Sequence, residues 1–321
     1  MPALPDWRPA RVAAVHDLTP DIRALEIAPE GELRPAAPGA HLKISLLLNG
    51  RPDTRSYSIV ETLPRGYLIA VKRLAASRGG SAYMHALSPG ARLDVAGPDN
   101  HFALLAGAPD YLLVAGGIGV TPIYGHALAL ARRGATFRLA YGVRARGDLA
   151  FADALGATLG ERLETFVGAE GRRIDLAAEF ARLSPQGEAY VCGPVPMLEA
   201  AKREWRAAGR PMAKLRFETF GASGHWPTQS FRMKVPRLGQ DIFVPAGKSM
   251  LEALEDAGIA MIFDCRKGEC GLCALPILAA DGVVDHRDVF FSEEEKAAND
   301  RICTCVSRVY GKSVTVDTAD R

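Results

Sequence analysis

The sequence lacks an excess of charge of either sign, and it has no apolar run long enough to span a bilayer. Its 321 residues include 39 lysines and arginines and 37 aspartates and glutamates, for a net charge of +2. This balance argues against a nucleic-acid binder driven by bulk charge. A basic, apolar leader is also lacking, because Met1 to Pro9 contains Asp6 and three prolines. We therefore expect a cytoplasmic protein that binds neither nucleic acid nor membrane.

Cysteine is scarce over most of the chain and concentrated near its end. Five of the six cysteines lie in the last 57 residues, namely Cys265, Cys270, Cys273, Cys303 and Cys305. Disulfides are rare in the cytoplasm, so these cysteines need another use. The spacing Cys265-x4-Cys270-x2-Cys273, followed by a distant cysteine, is that of plant-type [2Fe-2S] ligation.

Two other interpretations of the cysteine cluster are weaker. Zinc sites favour paired C-x2-C units, and only one is present here. Buried structural cysteines would not explain three thiols within nine residues beside Gly268 and Gly271, which let a backbone fold around sulfides. The spacing alone leaves the fourth ligand open between Cys303 and Cys305, because residues two apart on a strand share a face.

The chain divides into three stretches of different texture. Short alternating runs separated by Pro, Gly and Asp predict an antiparallel β-barrel over 1–104, since closure hides the edges of short strands. Strand-like runs alternate with helical segments over 105–222, which predicts a parallel α/β domain. The polar segment 223–231 is the predicted linker, and 232–321 form a third, small domain with the cysteine cluster.

Two groups of residues in the predicted barrel suit a flavin and its phosphate: Arg55, Ser56, Tyr57 and Ser58 on a strand, then Lys72, Arg73, Gly79, Gly80 and Ser81 before a short helix. Arg55 is a forked donor for phosphate, and Tyr57 can lie against the ring. A helix approached through two glycines is an anion site. The first group alone fits an exposed polar strand equally well, and the second favours the flavin.

A glycine-rich turn joins a predicted buried strand to a helix at Ala115-Pro122. We expect Thr121 to be the N-cap of this helix and Pro122 to lie in its first turn. Gly117 and Gly119 would let a nucleotide approach the backbone at the carboxyl end of a parallel strand. Because Pro122 replaces the last glycine of G-x-G-x-x-G, a plain strand-to-helix turn is the alternative.

Cys192 and Gly193 end a later strand of the same domain. A small side chain beside a glycine would let a flat ring approach. The alternative interpretation, equally compatible with the sequence, is that Cys192 is a thiol packed in the core. Arg144 and Arg146 follow the second strand and suit either the extra phosphate of NADPH or surface acids. The sequence therefore leans towards NADH and leaves NADPH open.

In their order along the chain, R-S-Y-S-I, G-G-I-G-V-T-P with C-G-P, and C-x4-C-x2-C with T-C-V-S-R resemble the phthalate dioxygenase reductase family. These one-chain reductases serve Rieske-type aromatic oxygenases and O-demethylases. The resemblance covers essentially the whole chain. It implies an FMN-binding antiparallel barrel, an NADH-binding parallel α/β domain and an α+β ferredoxin domain of the β-grasp type. It also implies that Phe220 covers the flavin ring and that Cys305, which precedes V-S-R, is the fourth ligand.

The implied activity is electron transfer from NADH through FMN to the cluster and on to a separate oxygenase component, with the chain a monomer. Hydride transfer between cofactors needs no general base, so no catalytic side chain is expected. One alternative is an FAD-containing reductase of another monooxygenase, such as a di-iron hydroxylase. The other is a ferredoxin-type carrier without NADH activity, whose upstream domains only dock partners.

Overall fold

The computed structural model describes residues 6–48, 51–74, 79–220 and 226–318, with the side chains of Arg51 and Pro52 left out. Residues 223–225 of the predicted linker lie outside these ranges. The described chain forms three sheets. Close packing groups it into two compact units, one running up to Gly193 together with Glu199–Glu218, the other comprising Pro194–Leu198 and Thr219 onward. The domain boundaries given above stay a prediction.

The first sheet is a closed antiparallel barrel in the order β1-β2-β5-β4-β3-β6. Alternate residues of its strands, such as Leu42, Ile44 and Leu46, are buried in the barrel core, as the period of two requires. A short helix, α1, connects β5 to β6. The elements are β1 (Arg8–Thr19), β2 (Ile22–Pro29), β3 (Ala40–Leu48), β4 (Arg51–Leu63), β5 (Gly66–Lys72), α1 (Gly80–Ala86) and β6 (Arg92–Asn100).

The second sheet is parallel, with the order β11-β10-β7-β8-β9. Its central strand β7 is buried along its whole length, as expected for a strand covered on both faces. The chain adds β8 and β9 on one side of β7 and then adds β10 and β11 on the other side. The order of the strands therefore reverses between β7 and β10. The elements are β7 (Tyr111–Gly116), α2 (Val120–Arg132), β8 (Phe137–Val143), α3 (Ala152–Leu159), β9 (Leu163–Val167), α4 (Leu176–Ala181), β10 (Glu188–Cys192), α5 (Val195–Ala207) and β11 (Leu215–Glu218).

The prediction that Thr121 is the N-cap of α2 is wrong. A 3-10 turn, Gly117–Gly119, lies between β7 and α2, and Gly119 occupies the N-cap position. The Thr121 hydroxyl donates to the Ile118 carbonyl at 2.9 Å. The hydroxyl therefore serves a carbonyl of the 3-10 turn, whereas an N-cap side chain accepts from a helix amide. Pro122 lies in the first turn of α2, as predicted.

The third sheet is mixed, with the order β13-β12-β16-β14-β15. Strands β12 and β16 are parallel, and the other neighbours are antiparallel. Helix α6 packs Met250 and Leu254 into the core of this sheet. This is the predicted α+β domain. Its elements are β12 (Phe231–Val235), β13 (Gln240–Val244), α6 (Met250–Asp256), β14 (Ala274–Asp285), α7 (Glu293–Ala298), β15 (Arg301–Cys303) and β16 (Arg308–Val316).

The described part of the predicted linker packs against this third sheet. The ring of Trp226 stacks on Tyr310, with centroids 5.0 Å apart. The Gln229 side chain donates to the Gly311 carbonyl, and Arg308 donates to the Gln229 carbonyl, each at 3.0 Å. Residues 226–230 of the predicted linker are therefore held against the third sheet by side-chain contacts. Among the helices that the structure describes, none has the length and apolarity needed to cross a membrane.

Candidate functional site

The predicted flavin residues lie on β4, on the part of that strand that pairs with β3. Tyr57 is opposite Leu42, and Ser58 is opposite His41. Tyr57 is partly buried against the barrel core, and burial raises the pKa of its phenol above the ordinary value. The Tyr57 ring is therefore neutral at physiological pH. Ser56 is half-buried on the same strand.

Arg55 of the first predicted flavin group packs against Gly80 of the second. A Cβ placed on Gly80 would lie 3.0 Å from Arg55 Nε, so the absence of a side chain at Gly80 makes room for the guanidinium. Gly79 has φ 97°, a left-handed conformation that favours glycine. Arg55 donates to Asp53 at 2.5 Å, and the Ser81 hydroxyl accepts from the Leu74 amide at 3.2 Å.

One buried polar atom fits the expected flavin ring. The Ser58 hydroxyl oxygen is buried, and no residue in the described part of the chain hydrogen-bonds to it. A buried hydroxyl without a partner is costly, and a ring nitrogen would supply the missing bond. Together with the guanidinium of Arg55 next to Gly80, this hydroxyl makes the β4 residues compatible with a flavin and its phosphate.

The Lys72 side chain is engaged by acids, whereas that of Arg73 is exposed. Lys72 Nζ forms an ion pair with Asp21 Oδ2 at 3.0 Å and lies 4.0 Å from Asp148 Oδ1. The Arg73 amide donates to the Asp21 carbonyl, and its side chain is exposed. Their assignment to the phosphate site stays a prediction, and the contacts that the structure gives Lys72 are with acids.

The predicted nucleotide turns meet at the carboxyl edge of the parallel sheet. Gly117 has φ 55°, which is left-handed. A Cβ on Gly119 would lie 2.2 Å from the Cys192 carbonyl oxygen and 3.0 Å from the Gly193 amide nitrogen. Any side chain at Gly119 would therefore push the loops after β7 and β10 apart. These loops flank the point where the sheet order reverses, which is the usual binding crevice of such sheets.

Cys192 and Phe220, which were predicted to lie beside the nicotinamide and the flavin, are buried and half-buried. Cys192 is fully buried, which also fits the alternative of a packed core thiol. Phe220 follows β11, is half-buried and falls in the second compact unit. Their roles beside nicotinamide and flavin stay predictions.

The cysteine loop is held in an unusual backbone conformation. Arg266, Gly268 and Gly271 all have left-handed φ angles, of 50°, 76° and 74°. The loop points the amides of Lys267, Glu269 and Cys270 at Cys265 Sγ, each at 3.4 Å. Amide donors of this kind stabilise a negatively charged sulfur.

The thiols of the cluster lie close enough to control each other's ionisation. The pKa of Cys265 is lowered to about 4, first by the Cys305 thiol and then by the three amides. The pKa of Cys273 is lowered to about 3, first by the Cys303 thiol and then by Cys305. Burial raises the pKa of Cys270, which is half-buried. Thiolates are the form that binds iron, so this donor set fits a [2Fe-2S] cluster.

Cys305 and Cys303 differ in their contacts. Cys305 hydrogen-bonds to both Cys265 and Cys273, which raise the pKa of its thiol, whereas Cys303 hydrogen-bonds to Cys273. Strand β15 ends at Cys303, and the amide of Ser307 turns back to the Cys303 carbonyl at 3.0 Å. The two cysteines are therefore not alternate residues of one strand, which removes the premise that they share a face. In the described chain, no set of three or more His, Cys, Asp or Glu is arranged for a single metal ion.

The residues that support the cysteine loop were not predicted from the sequence. Asp288 is fully buried and accepts from Ser307 Oγ at 2.9 Å and the Phe291 amide at 3.0 Å. Burial alone would raise the pKa of Asp288, but hydrogen bonds from His286 and these groups hold it below the ordinary value. A Cβ on Gly268 would lie 2.9 Å from Asp288 Cα. Its partner Ser307 lies 19 residues farther along the chain, so no short-range spacing marks this contact of Asp288.

The guanidinium of Arg266, within the cysteine loop, is paired with a carboxylate. It forms an ion pair with Glu255 at 2.6 Å, and its guanidinium lies 4.0 Å from the centroid of the Phe263 ring. A nearby carboxylate cancels part of its charge. Lys267 contributes through its backbone amide.

Known proteins resemble both the cysteine region and nearly the whole chain. Residues 235–310 match the family model of the 2Fe-2S iron-sulfur cluster binding domain. The chain is 38% identical over 309 residues to the heme-dependent oxidative N-demethylase beta subunit of Ectopseudomonas mendocina (strain ymp), covering 96% of this chain and 97% of the relative. It is 39% identical over 290 residues to the phenoxybenzoate dioxygenase subunit beta of Ectopseudomonas oleovorans, covering 89% of this chain and 88% of the relative.

A solved structure shares the three-sheet architecture. The chain matches phthalate dioxygenase reductase, described as a modular structure for electron transfer from pyridine nucleotides to [2Fe-2S], with a TM-score of 0.78 and 30% identity. The match covers 97% of this chain and 98% of that structure. The barrel, parallel sheet and cysteine-bearing sheet predicted from the sequence are thereby confirmed together.

Replacing Gly119 with Ala should impair use of the pyridine nucleotide. The new Cβ would meet the Cys192 carbonyl, and backbone atoms cannot yield without moving a loop. We expect kcat/KM for NADH to fall by at least about tenfold, since a misplacement of roughly 1 Å can cost about a hundredfold. Bound flavin should be unchanged. Gly156→Ala is the control, because its Cβ would meet nothing within 4 Å; equal kcat/KM values in both variants would contradict the role of Gly119.

Replacing Cys305 with Ala should remove the iron and sulfide, whereas Cys303→Ala should retain them. The reason is that Cys305 contacts two of the other cysteine thiols and Cys303 only one. Iron and acid-labile sulfide per chain, with the visible absorbance of the cluster, measure the outcome. Loss of the cluster in Cys303→Ala alone would mean that the fourth ligand is Cys303.

Proposed function

The chain belongs to the phthalate dioxygenase reductase family, and from this premise we propose that it passes electrons from NADH through FMN to a [2Fe-2S] cluster and on to an oxygenase component. The single observation that carries the proposal is the convergence of Cys265, Cys273 and Cys305 with three amides aimed at one sulfur. The flavin residues on β4 and the glycine turns of the parallel sheet occur in the same chain. A carrier without NADH activity would need neither.

The cofactors determine the chemistry, and the protein determines their positions. When bound, a flavin takes a hydride from NADH and passes electrons singly, which suits a [2Fe-2S] cluster because it accepts one electron at a time. Arg55 would bind the flavin phosphate, and the Ser58 hydroxyl would hydrogen-bond to the ring. Gly119 lets the loop after β7 pack against Cys192 and Gly193, at the edge of the sheet where the nicotinamide would bind.

The cysteine loop supplies both ligands and charge compensation. Cys265, Cys270, Cys273 and Cys305 would hold the two irons. The amides of Lys267, Glu269 and Cys270 would stabilise negative charge on the cluster at Cys265. Hydrogen bonds to the sulfurs are one of the means by which a protein sets a cluster's reduction potential.

The electron acceptor in this proposal is a separate oxygenase. The relatives named above are subunits of a demethylase and a dioxygenase, and one of the two is described as heme-dependent. A Rieske-type aromatic oxygenase or O-demethylase is the partner that we propose for this chain, which we take to be a monomer. A cytoplasmic location suits the six cysteines, all of which are free thiols.

Cofactor analysis tests the proposal directly. Heat extraction followed by mass measurement should release FMN, and iron and sulfide should each amount to about two per chain. Recovery of FAD would support the alternative of a reductase for another monooxygenase. A protein with iron and sulfide but no flavin, and with no bleaching by NADH, would support the ferredoxin-type carrier.

Replacing Cys270 with Ser should separate the two halves of the electron path. We expect reduction of cytochrome c to be abolished, because it requires single electrons from the cluster. Oxidation of NADH with ferricyanide should be largely retained, because the flavin can supply that acceptor. Both rates are measured on one preparation with its flavin and iron contents known. Equal loss of the two rates would contradict the division of labour between flavin and cluster.

A further inference from the structure

Two loops at the carboxyl edge of the parallel sheet are joined by a bidentate ion pair. The turns that follow β8 and β9 carry Arg146 and Glu170. Arg146 Nε lies 2.7 Å from Glu170 Oε1, and Arg146 Nη2 lies 2.6 Å from Glu170 Oε2. The Ala169 amide also donates to the Arg144 carbonyl at 2.8 Å, so the two backbones are in contact.

This pair lies where a dinucleotide would place its adenosine ribose. The glycine turn after β7 and the loop after β10 flank the reversal of the sheet order, and β8 is the next strand outward. In doubly wound nucleotide-binding sheets the ribose is recognised after the strand that follows the glycine turn. An acid there accepts from the ribose hydroxyls of NADH, whereas an arginine there binds the 2′-phosphate of NADPH.

In this protein the acid, Glu170, and the arginine, Arg146, are bound to each other. The hydrogen bond from Arg146, with its charge, lowers the pKa of Glu170, so the carboxylate is ionised at neutral pH. The side chains of Arg146 and Glu170 are 68% and 39% exposed, so both are accessible to a ligand at this edge of the sheet. Arg172, two residues after Glu170, is engaged by Glu164 at 3.1 Å.

We propose that Glu170 is a specificity-determining residue that selects NADH over NADPH by holding Arg146 in this bidentate pair. A 2′-phosphate would have to displace the carboxylate from Arg146 and remain beside its negative charge. The ribose hydroxyls of NADH meet no such repulsion. The inference rests on the proposed function, since it concerns the nucleotide that supplies the electrons.

The test compares wild-type protein with Glu170→Gln, which keeps the shape of the side chain and removes its charge. In the full chain with bound cofactors, we expect kcat/KM for NADPH to rise about fivefold, the upper range of an exposed ion pair. The gain should appear in KM, with kcat unchanged. The inhibition constant of 2′,5′-ADP should fall by a similar factor, and that of 5′-AMP should not.

Two further variants decide whether the effect is local. Adding Arg146→Ala to Glu170→Gln should cancel the gain, because the phosphate loses its donor. Asp317→Asn is the matched control, since it breaks the bidentate Arg237–Asp317 pair of the third sheet and removes the same charge. An unchanged ratio of NADPH to NADH in Glu170→Gln, a gain that survives Arg146→Ala, or an equal gain in Asp317→Asn would each overturn the inference.

Failure of the proposed function would look different. A wild-type protein that retains its flavin but oxidises neither nucleotide would overturn the proposed function, and the inference with it. A wild-type protein that oxidises NADPH at least as well as NADH would leave the proposed function standing and overturn only the role of Glu170.

Discussion

The loop from Cys265 to Cys273 must bring negatively charged sulfurs together, and the rest of the ferredoxin-type unit depends on that constraint. Left-handed backbone at Arg266, Gly268 and Gly271 turns three amides towards one thiol. The segment at Asp288 packs against this loop, since the Val289 amide donates to the Gly268 carbonyl at 3.0 Å. Asp288 in turn accepts hydrogen bonds from Ser307 and Phe291.

The parallel sheet requires close backbone packing at its carboxyl edge. Its glycine turn after β7 nearly touches the loop after β10, and any side chain at Gly119 would separate them. The same edge carries the Arg146–Glu170 pair farther out. One edge thus carries close backbone packing where the strand order reverses and a charged pair on the next two loops outward, after β8 and β9. Both properties follow from the carboxyl ends of parallel strands lying on one side of the sheet.

Sequence patterns predicted much of this architecture because the patterns are local. The alternation in β3 and the continuous apolar run of β7 report directly on burial. The prediction that Thr121 is the N-cap was wrong because a 3-10 turn precedes α2. The spacing of residues in the sequence does not reveal such a turn. Similarly, Cys303 and Cys305 were treated as alternate strand residues, and the strand ends between them.

The sequence by itself determined the three kinds of sheet, the order of the motifs and the cysteine set, since each depends on residue type and short-range spacing. Only the tertiary structure decided which charges meet. Arg266 is engaged by Glu255, Lys72 by Asp21, and Arg146 by Glu170, each from a separate segment of the chain. Side chains distant in sequence find one another through the fold, and no local pattern encodes that encounter.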